Sequence, residues 1–175
     1  MSIISIRLYG DSILRQKASA VKVIDKSIDL LAEDLIETML SVKGLGLAAP
    51  QIGYCLSMVV VNLPALNLDE PPLILLNPQV ISEQGEKVYE EGCLSLPGIF
   101  EEIKRAEKVV VWARNLKGEE FSLEGDGLLS RVLLHEIDHL NGVLFIDRIS
   151  SLRRRLLRKK LKNLKRVEEK DEHIL

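Results

Sequence analysis

The chain has 175 residues, of which 46% are hydrophobic and 29% charged, and this composition excludes a mainly disordered protein. Its length suits one hydrophobic core with a tail rather than two large domains. The net charge of -2 hides an asymmetry, because residues 1–150 carry 14 Lys and Arg against 22 Asp and Glu, whereas residues 151–175 carry 10 against 4. We expect one acidic domain over residues 1–150, followed by a basic amphipathic C-terminal helix and an acidic end over residues 151–175.

The N-terminus and the cysteine content bear on the cellular compartment. The sequence MSIISIRLYGDS has no basic segment followed by a long apolar stretch, and it is not an arginine-rich transit segment. The chain also has no run of eighteen or more apolar residues, so we expect no membrane span. With only Cys55 and Cys93, a disulfide-stapled secreted fold is not expected, and a reducing cytoplasm is the simplest setting.

The first quarter of the chain predicts one long helix. Residues 3–8 alternate enough for a short strand, and Asp11 can begin a helical turn. Asp25 has the character of an N-cap and Gly44 that of a C-terminal stop, with apolar residues between them at helical spacing. We therefore predict a helix over residues 26–43.

Small residues crowd the segment GLGLAAPQIG at positions 44–53. Small side chains let a backbone run close to another group, and the simplest structure here is a tight turn packed against a sheet. A dinucleotide loop is an alternative, but its glycine pattern lies between a strand and the start of a helix, with spacing that this segment does not meet. We therefore expect no nucleotide cofactor.

Short β-branched and apolar segments separated by turns follow as far as position 123. They predict strands over residues 57–62, 73–77, 80–82, 87–91, 109–114 and 121–123. Because few helices intervene, we expect antiparallel pairing and an α+β fold. Its short sheets would pack around a central helix, with a further helix at the C-terminus.

The segment LLHEIDHLNG, at positions 133–142, carries the strongest chemical signal. On a helix, His135 and His139 lie one turn apart on one face, so both imidazoles can reach one metal ion while Glu136 stands beside it. A solvated helix can match this pattern by chance. However, two of the three histidines of the chain are here, and an apolar segment precedes them.

This central helix is predicted to run from an N-cap at Asp126 to about Leu140, where an Asn-Gly pair ends it. Leu128 and Val132 precede the first histidine at steps of three or four residues, so they share the face of the ligands. A substrate at the metal would therefore meet an apolar wall.

The two cysteines differ in their context. Cys55 leads directly into an apolar strand, which predicts a small buried hydrophobic side chain. Cys93 lies between a glycine and a Pro-Gly turn, so it is the better ligand candidate. Two histidines and a thiolate would leave a fourth tetrahedral position for water, as in catalytic sites. Glu136 could take the proton of that water and give it to a leaving group, which predicts hydrolysis of an amide-type bond.

A zinc peptidase is one alternative. One peptidase family has a third histidine six residues after the second, where this chain has Phe145, which cannot bind metal. Another takes a downstream glutamate, but the only carboxylate before the basic tail is Asp147, and Glu168 lies beyond that helix. Cys93 is the third ligand that the sequence offers instead.

The tail predicts a terminal amphipathic helix. Nine Lys or Arg and no acid lie between residues 151 and 167, and a helical repeat is formed by Leu152, Leu156, Leu161 and Leu164. We expect these leucines to dock on the body with the charges in solvent. A basic helix also attracts RNA or another anionic surface, so a catalytically silent RNA- or ribosome-binding protein is a second hypothesis.

The segments GLGLAAPQ, EGCLS and HEIDH, in this order and at this spacing, resemble those of the peptide deformylases, over roughly the first 150 residues. The resemblance implies removal of the formyl group from the N-terminal formylmethionine of new polypeptides, which yields formate and a free amine. It places Cys93, His135 and His139 on the metal and makes Glu136 the general base and acid.

The resemblance also implies roles around the metal. Gln51 and the backbone N–H of Leu94 would stabilise the tetrahedral oxyanion. Gly46 would meet the peptide backbone. The methionine side chain would occupy a pocket formed by Leu45, Leu128 and Val132.

The cofactor and partners follow from the same resemblance. The physiological metal of the family is one ferrous ion, often replaced by zinc, nickel or cobalt, whereas ligand softness alone would favour zinc. The implied partners are N-formylmethionyl nascent peptides in a bacterial-type cytoplasm and, by similarity of charge, the ribosome at residues 151–166.

Two places depart from the family pattern. Leu134 stands where glutamine is common, and we expect its side chain to point away from the metal. Residues 99–102 stand where many members of the family have glycine or arginine near the substrate. With Phe100 at this place, the resemblance does not predict how the enzyme contacts substrate residues beyond the methionine.

Overall fold

The computed structural model describes residues 2–171, with side chains described as far as residue 165. Its α-helices are α1 (Lys26–Ser41), α2 (Gly127–Leu140) and α3 (Ser151–Asp171). Its strands are β1 (Gly46–Ala48), β2 (Met58–Val61), β3 (Leu73–Gln84), β4 (Lys87–Gly92), β5 (Phe100–Arg105), β6 (Lys108–Arg114) and β7 (Glu120–Asp126). None of the helices in this range is long and apolar enough to cross a membrane. The last part of the expected acidic end, residues 172–175, lies outside the described residues.

Five strands form one antiparallel sheet in the order β1-β2-β3-β6-β7, and β4 pairs with β5 in a separate antiparallel hairpin. Because side chains alternate along a strand, β2 presents Val59 and Val61 to one face and Met58 and Val60 to the other. The first face packs against a buried side of α2, and the second packs against α1. The predicted α+β fold with antiparallel sheets, a central helix and a C-terminal helix is confirmed.

Helix α1 begins where the sequence predicts and ends earlier. The carboxylate of Asp25 accepts hydrogen bonds from the backbone N–H groups of Ser27 at 2.9 Å and Ile28 at 3.4 Å, which confirms the N-cap. The helix ends at Ser41 rather than position 43. The reason is that Lys43, one residue before Gly44, already has a positive φ of 54°.

The small-residue segment at positions 44–53 is more ordered than the single tight turn expected there. Gly46–Ala48 forms the edge strand β1, which pairs with β2, and a 3₁₀ helix over Ala49–Ile52 follows. Gly53 ends this helix with a φ of 92°. The segment therefore places an edge strand and a helical turn next to each other.

The strand predicted over residues 3–8 is wrong. This segment is extended, but its backbone does not pair with a strand, since Arg7 N–H donates to the carbonyl of Gln51 in the 3₁₀ helix at 2.7 Å. Just beyond the segment, Tyr9 N–H donates to the Ser95 carbonyl at 2.8 Å. The helical turn predicted at Asp11 is confirmed, since its carboxylate caps a 3₁₀ helix over Ser12–Arg15.

The sheet also differs from the prediction at two strands. The separate strands predicted over residues 73–77 and 80–82 form one strand, β3, with irregular register near Asn77, which has a φ of 52°. Strand β5 was not predicted, although its burial alternates strictly. Its buried face consists of Glu101, Ile103 and Arg105. Because two of these three residues are charged, the sequence does not show the alternation of apolar and polar residues that predicts a strand.

Helix α2 has the predicted extent, from Gly127 to Leu140. The expected cap at Asp126 forms only in part, because its carboxylate makes no capping hydrogen bond and instead lies 3.2 Å from Lys108 Nζ. Nearly the whole helix from Ser130 onward is buried, including its charged residues. The two histidines are therefore carried into the protein interior, as predicted.

Helix α3 docks through two of the four leucines expected, Leu161 and Leu164, and through Leu157, which was not expected. Leu157 and Leu161 are buried and Leu164 packs against them, in a cluster with Phe145 and other apolar residues. Leu152 and Leu156 are 60% and 69% exposed, so their predicted docking is wrong. The helix is rotated so that the leucine next to position 156, not position 156 itself, faces the body.

Candidate metal centre and active-site cleft

Cys93, His135 and His139 come together from two separate parts of the chain. Cys93 follows β4 in a turn, and the histidines lie one helical turn apart on α2. One ligand atom of each lies within 4.8 Å of the others, and Cys93 Sγ is 3.2 Å from His139 Nε2. A thiolate with two imidazoles is a donor set that suits zinc, ferrous iron and similar divalent ions, so the residues fit the predicted metal.

The two histidines have opposite electrostatic environments. Burial lowers the pKa of His139 well below its usual range, and its Nδ1 has no hydrogen-bond partner among the described residues. Burial acts in the same direction on His135, but hydrogen bonds to Cys93 and Glu91 outweigh it and hold the pKa of His135 well above its usual range. Histidine binds metal as a neutral imidazole, and the lowered pKa of His139 favours that neutral form.

Glu136 is a buried carboxyl group next to this cluster. Its side chain is 4% exposed, and within the described chain Oε2 makes no hydrogen bond. Burial raises the pKa of Glu136 to about 7, although the positive charges of His135 and Arg105 act to lower it. A carboxyl group with a pKa near neutrality can both take and give a proton at physiological pH. Strand β1 passes directly against this side chain at Gly46.

Gln51 lies beside Cys93 with its amide held at both ends. The side-chain oxygen accepts a hydrogen bond from Ala48 N–H at 2.9 Å, while Nε2 lies 3.3 Å from Ser95 Oγ and 3.6 Å from Cys93 Sγ. The 3₁₀ helix that follows β1 carries Gln51 to this position. The amide N–H group is therefore directed towards the thiol and is placed to donate to an oxygen near it.

A cleft of about 440 Å³ opens beside the cluster. Cys93, His135 and Glu136 line it together with the predicted oxyanion and substrate residues, which are Leu45, Gly46, Gln51, Leu94, Leu128 and Val132. Val132 is 6% exposed and Leu128 is 52% exposed, so the predicted apolar wall extends from the interior to the solvent. The structure thus brings the predicted site residues together, with the buried His139 behind the cleft.

Glu91 is a site residue that the sequence analysis missed. It lies near the end of β4, two residues before Cys93, and its Oε2 lies 3.1 Å from His135 Nδ1. Arg105 donates two hydrogen bonds to it, at 2.6 and 3.0 Å, and Arg131 donates another. Burial would raise the pKa of Glu91, but hydrogen bonds from His135 and Arg105 overcome it and lower the pKa to about 2. The carboxylate therefore fixes which nitrogen of His135 points to the metal position.

The family model described as polypeptide deformylase matches residues 3–155, which include every residue of this site. The chain belongs to the polypeptide deformylase family. The deformylase of Thermodesulfovibrio yellowstonii is 43% identical over 165 residues, covering 94% of this chain and all of the relative. That of Acidobacterium capsulatum is 45% identical over 161 residues, covering 92% of this chain and 95% of the relative.

Solved peptide deformylase structures share the fold. The crystal structure from Legionella pneumophila has a TM-score of 0.87 at 42% identity and covers 96% of this chain and 98% of its own. The structure from Thermus thermophilus has a TM-score of 0.87 at 38% identity, with coverage of 95% and 99%. The resemblance seen in the three sequence segments is therefore confirmed along almost the whole chain.

Three residues that the sequence comparison with metal hydrolases singled out lie in different environments. They are Leu134 and Phe100, which depart from the deformylase pattern, and Phe145, which replaces the third histidine of one peptidase family. Leu134 is 7% exposed and packs in the core between α2 and the sheet, away from the ligand cluster. Phe145 stacks on His135 with 6.4 Å between ring centroids. Phe100 is 60% exposed at the edge of the cleft, where its ring lies over Gly92.

Proposed function

We propose that this deformylase hydrolyses the N-formyl group of the formylmethionine that begins newly made polypeptides, releasing formate and a free amine. One observation supports the proposal above all. The buried carboxyl group of Glu136 has an unpaired oxygen, within the described chain, beside the cluster of Cys93, His135 and His139. A closed structural metal site has no need of such a group.

Cys93, His135 and His139 would hold one divalent metal ion. When bound, the metal supplies a Lewis acid that polarises the formyl carbonyl and makes water more acidic. The physiological ion of the family is ferrous iron, and zinc, nickel or cobalt can substitute. Cys93 favours ions that accept a soft thiolate ligand over magnesium or calcium.

Glu136 moves the protons of the reaction. With its pKa raised to about 7, it accepts a proton from the attacking water and then delivers it to the nitrogen of the leaving amine. Strand β1 covers one side of this carboxyl group at Gly46, and the residue is only 4% exposed. Removal of Glu136 alone would therefore stop turnover and leave the three ligands in place.

Gln51 and the backbone N–H of Leu94 stabilise the negative charge that develops on the formyl oxygen. The Gln51 amide is held by Ala48 and Ser95, so it needs no reorganisation as the charge forms. Both residues line the cleft next to Cys93.

The substrate peptide would lie along β1. This strand is at the edge of the five-stranded sheet, where an extended peptide can add through backbone hydrogen bonds, and Gly46 is the contact point. The methionine side chain would then enter the apolar part of the cleft formed by Leu45, Leu128 and Val132. New polypeptides of this type are made in the bacterial cytoplasm, so we place the reaction there.

The basic helix is proposed to hold the enzyme near its substrate by contact with the ribosome through residues 151–166. A groove between α3 and the N-terminal segment has Arg154, Arg155, Arg158 and Lys162 among its lining residues. Several cations along one groove would attract a phosphate backbone in a salt-dependent way.

Formate release from a formyl-Met peptide by protein loaded with iron under anaerobic conditions, or with nickel, tests the enzymatic proposal. Release of one formate for each peptide that is consumed supports the proposal. Metal-loaded protein that releases no formate would leave the silent RNA-binding alternative, and internal cleavage of unformylated peptides would indicate a zinc peptidase instead.

A further inference from the structure

A chain of charged hydrogen bonds connects a surface arginine to a metal-ligand histidine. Arg148 donates to both oxygens of Asp138, from Nε at 2.6 Å and from Nη2 at 2.5 Å. Asp138 also accepts from Arg105 Nη1 at 2.8 Å. Arg105 holds Glu91 with two hydrogen bonds, and Glu91 Oε2 lies 3.1 Å from His135 Nδ1.

Burial changes along this chain from the interior to the surface. The side chains of Arg105, Glu91 and Asp138 are 2%, 5% and 11% exposed, whereas that of Arg148 is 42% exposed. Charges in such surroundings depend strongly on their partners, since removing one partner leaves an uncompensated charge in a medium of low polarity. Replacement of Arg148 would therefore leave the charge of Asp138 less compensated and weaken its hold on Arg105, because little solvent is present to take the place of the lost partner.

We propose that Arg148 is a positioning residue for the metal centre. By binding both oxygens of Asp138, it fixes the carboxylate that holds one end of the Arg105 guanidinium. Arg105 then keeps Glu91 in place on Nδ1 of His135, so that the other ring nitrogen points to the metal position. The inference rests on the proposed function, because it requires a metal at Cys93, His135 and His139.

The position of Arg148 in the chain strengthens this coupling. It directly follows the 3₁₀ helix Phe145–Asp147, and the ring of Phe145 stacks on His135. The same short segment therefore contacts His135 directly through Phe145 and indirectly through Arg148. Asp147, in the same segment, pairs with Arg15 and Arg154 and fixes the segment to the body and to α3.

The test is metal affinity, measured by competition of Zn²⁺ between the protein and a chelator. Arg148→Gln should weaken the affinity about tenfold, at the lower end of the effect of residues that orient metal ligands. Arg148→Lys keeps the charge but cannot form the two-point contact, so its affinity should fall between those of the wild type and of Arg148→Gln. It also serves as the test variant if Arg148→Gln does not fold.

Arg153→Gln is the matched control. Arg153 is another half-exposed arginine on a buried carboxylate, that of Glu101 at 3.0 Å, and none of its described hydrogen bonds leads to His135. This variant should bind Zn²⁺ like the wild type. An equal loss in Arg153→Gln, or unchanged affinity in the Arg148 variants, would overturn the inference.

A double-mutant cycle distinguishes positioning from general destabilisation. In an Asp138→Asn background, Arg148→Gln should cause little further loss of affinity, because the link through which it acts is already broken. Additive losses would contradict the proposed route. Failure of the wild type itself to bind Zn²⁺ would instead refute the metal site and hence the proposed function.

Discussion

A β-carbon on Gly46 would lie 2.6 Å from Oε1 of Glu136, closer than side chains approach one another. Two more atoms of the same carboxylate side chain would lie within 2.9 Å. The edge strand β1 and the helix α2 therefore approach each other at this point only because position 46 has no side chain. This contact shields the candidate general base and at the same time brings the backbone of β1 next to it.

Gly46→Ala should therefore reduce activity without removing the metal. The new methyl group must displace Glu136 or shift β1, and a displacement of about 1 Å in a reacting group can cost about 100-fold in rate. We expect kcat/KM to fall by about that factor, with one metal still bound per chain. Gly44→Ala is the control, since its nearest contacts are side-chain atoms at 3.3 Å that can move. Near-wild-type kcat/KM in Gly46→Ala would contradict this account.

Glu136→Ala should keep its metal and lose turnover. The substitution removes the proton-transferring group and none of the three ligands, so the rate should fall by at least about 10³-fold while metal content stays at the wild-type value. Formate release and elemental analysis on the same preparation measure both quantities. An active Glu136→Ala enzyme would show that another group carries the proton.

Glu91→Gln should weaken metal binding. The amide cannot accept hydrogen bonds from Arg105, Arg131 and His135 with the strength of a carboxylate, so His135 loses its fixed orientation. We expect affinity to drop by about 10- to 100-fold in a chelator competition. Its exposed neighbour supplies the control, because Glu90→Gln should leave affinity unchanged. Equal effects of the two substitutions would argue against a specific role for Glu91.

Asp147 should make folding stability depend on pH in the acid range. Burial raises its pKa, but hydrogen bonds from Arg15 and from Leu144 N–H outweigh burial and hold the pKa of this carboxyl below its ordinary value of 3.8. A lowered pKa means that the carboxylate stabilises the folded state above pH about 4 and that this contribution disappears as the pH falls through the folded-state pKa.

The isosteric substitution Asp147→Asn tests the predicted direction of this pH dependence. Denaturant unfolding should show the variant less stable by about 1 kcal/mol at pH 7, with the difference shrinking towards zero as the pH falls well below about 4. Asp126→Asn is the control, because the ion pair of Asp126 with Lys108 is exposed and should contribute little. A difference that grew on acidification would contradict the assignment.

The ligands and the base could be predicted from local spacing, whereas the groups that orient them could not. His135, Glu136 and His139 lie within about one helical turn, so their relation follows from helix geometry. Glu90 and Glu91 are adjacent and chemically alike, and only the pairing of β4 with the unpredicted β5 decides which of them is buried on Arg105. That pairing depends on residues distant in sequence.

The errors in the fold prediction have the same origin. Residues 3–8 have a pattern that permits extended structure, but Arg7 donates its backbone hydrogen bond to a 3₁₀ helix, at Gln51, instead of to a strand edge. In α3, the leucine repeat predicts an apolar stripe correctly, but Leu157 rather than Leu156 faces the body. Which of two adjacent leucines is buried depends on the surface onto which the helix docks.

Formate release measured during titration of the metal-free protein with Fe²⁺ under anaerobic conditions tests the central claim most directly. With a formyl-Met peptide as substrate, activity should rise in proportion to added metal and stop rising at one equivalent per chain. Cys55→Ser should give the same curve, and Cys93→Ser should show a weaker or altered one. Full activity in chelator-treated protein, or equal curves for the Cys93 and Cys55 variants, would contradict a single metal centre built on Cys93, His135 and His139.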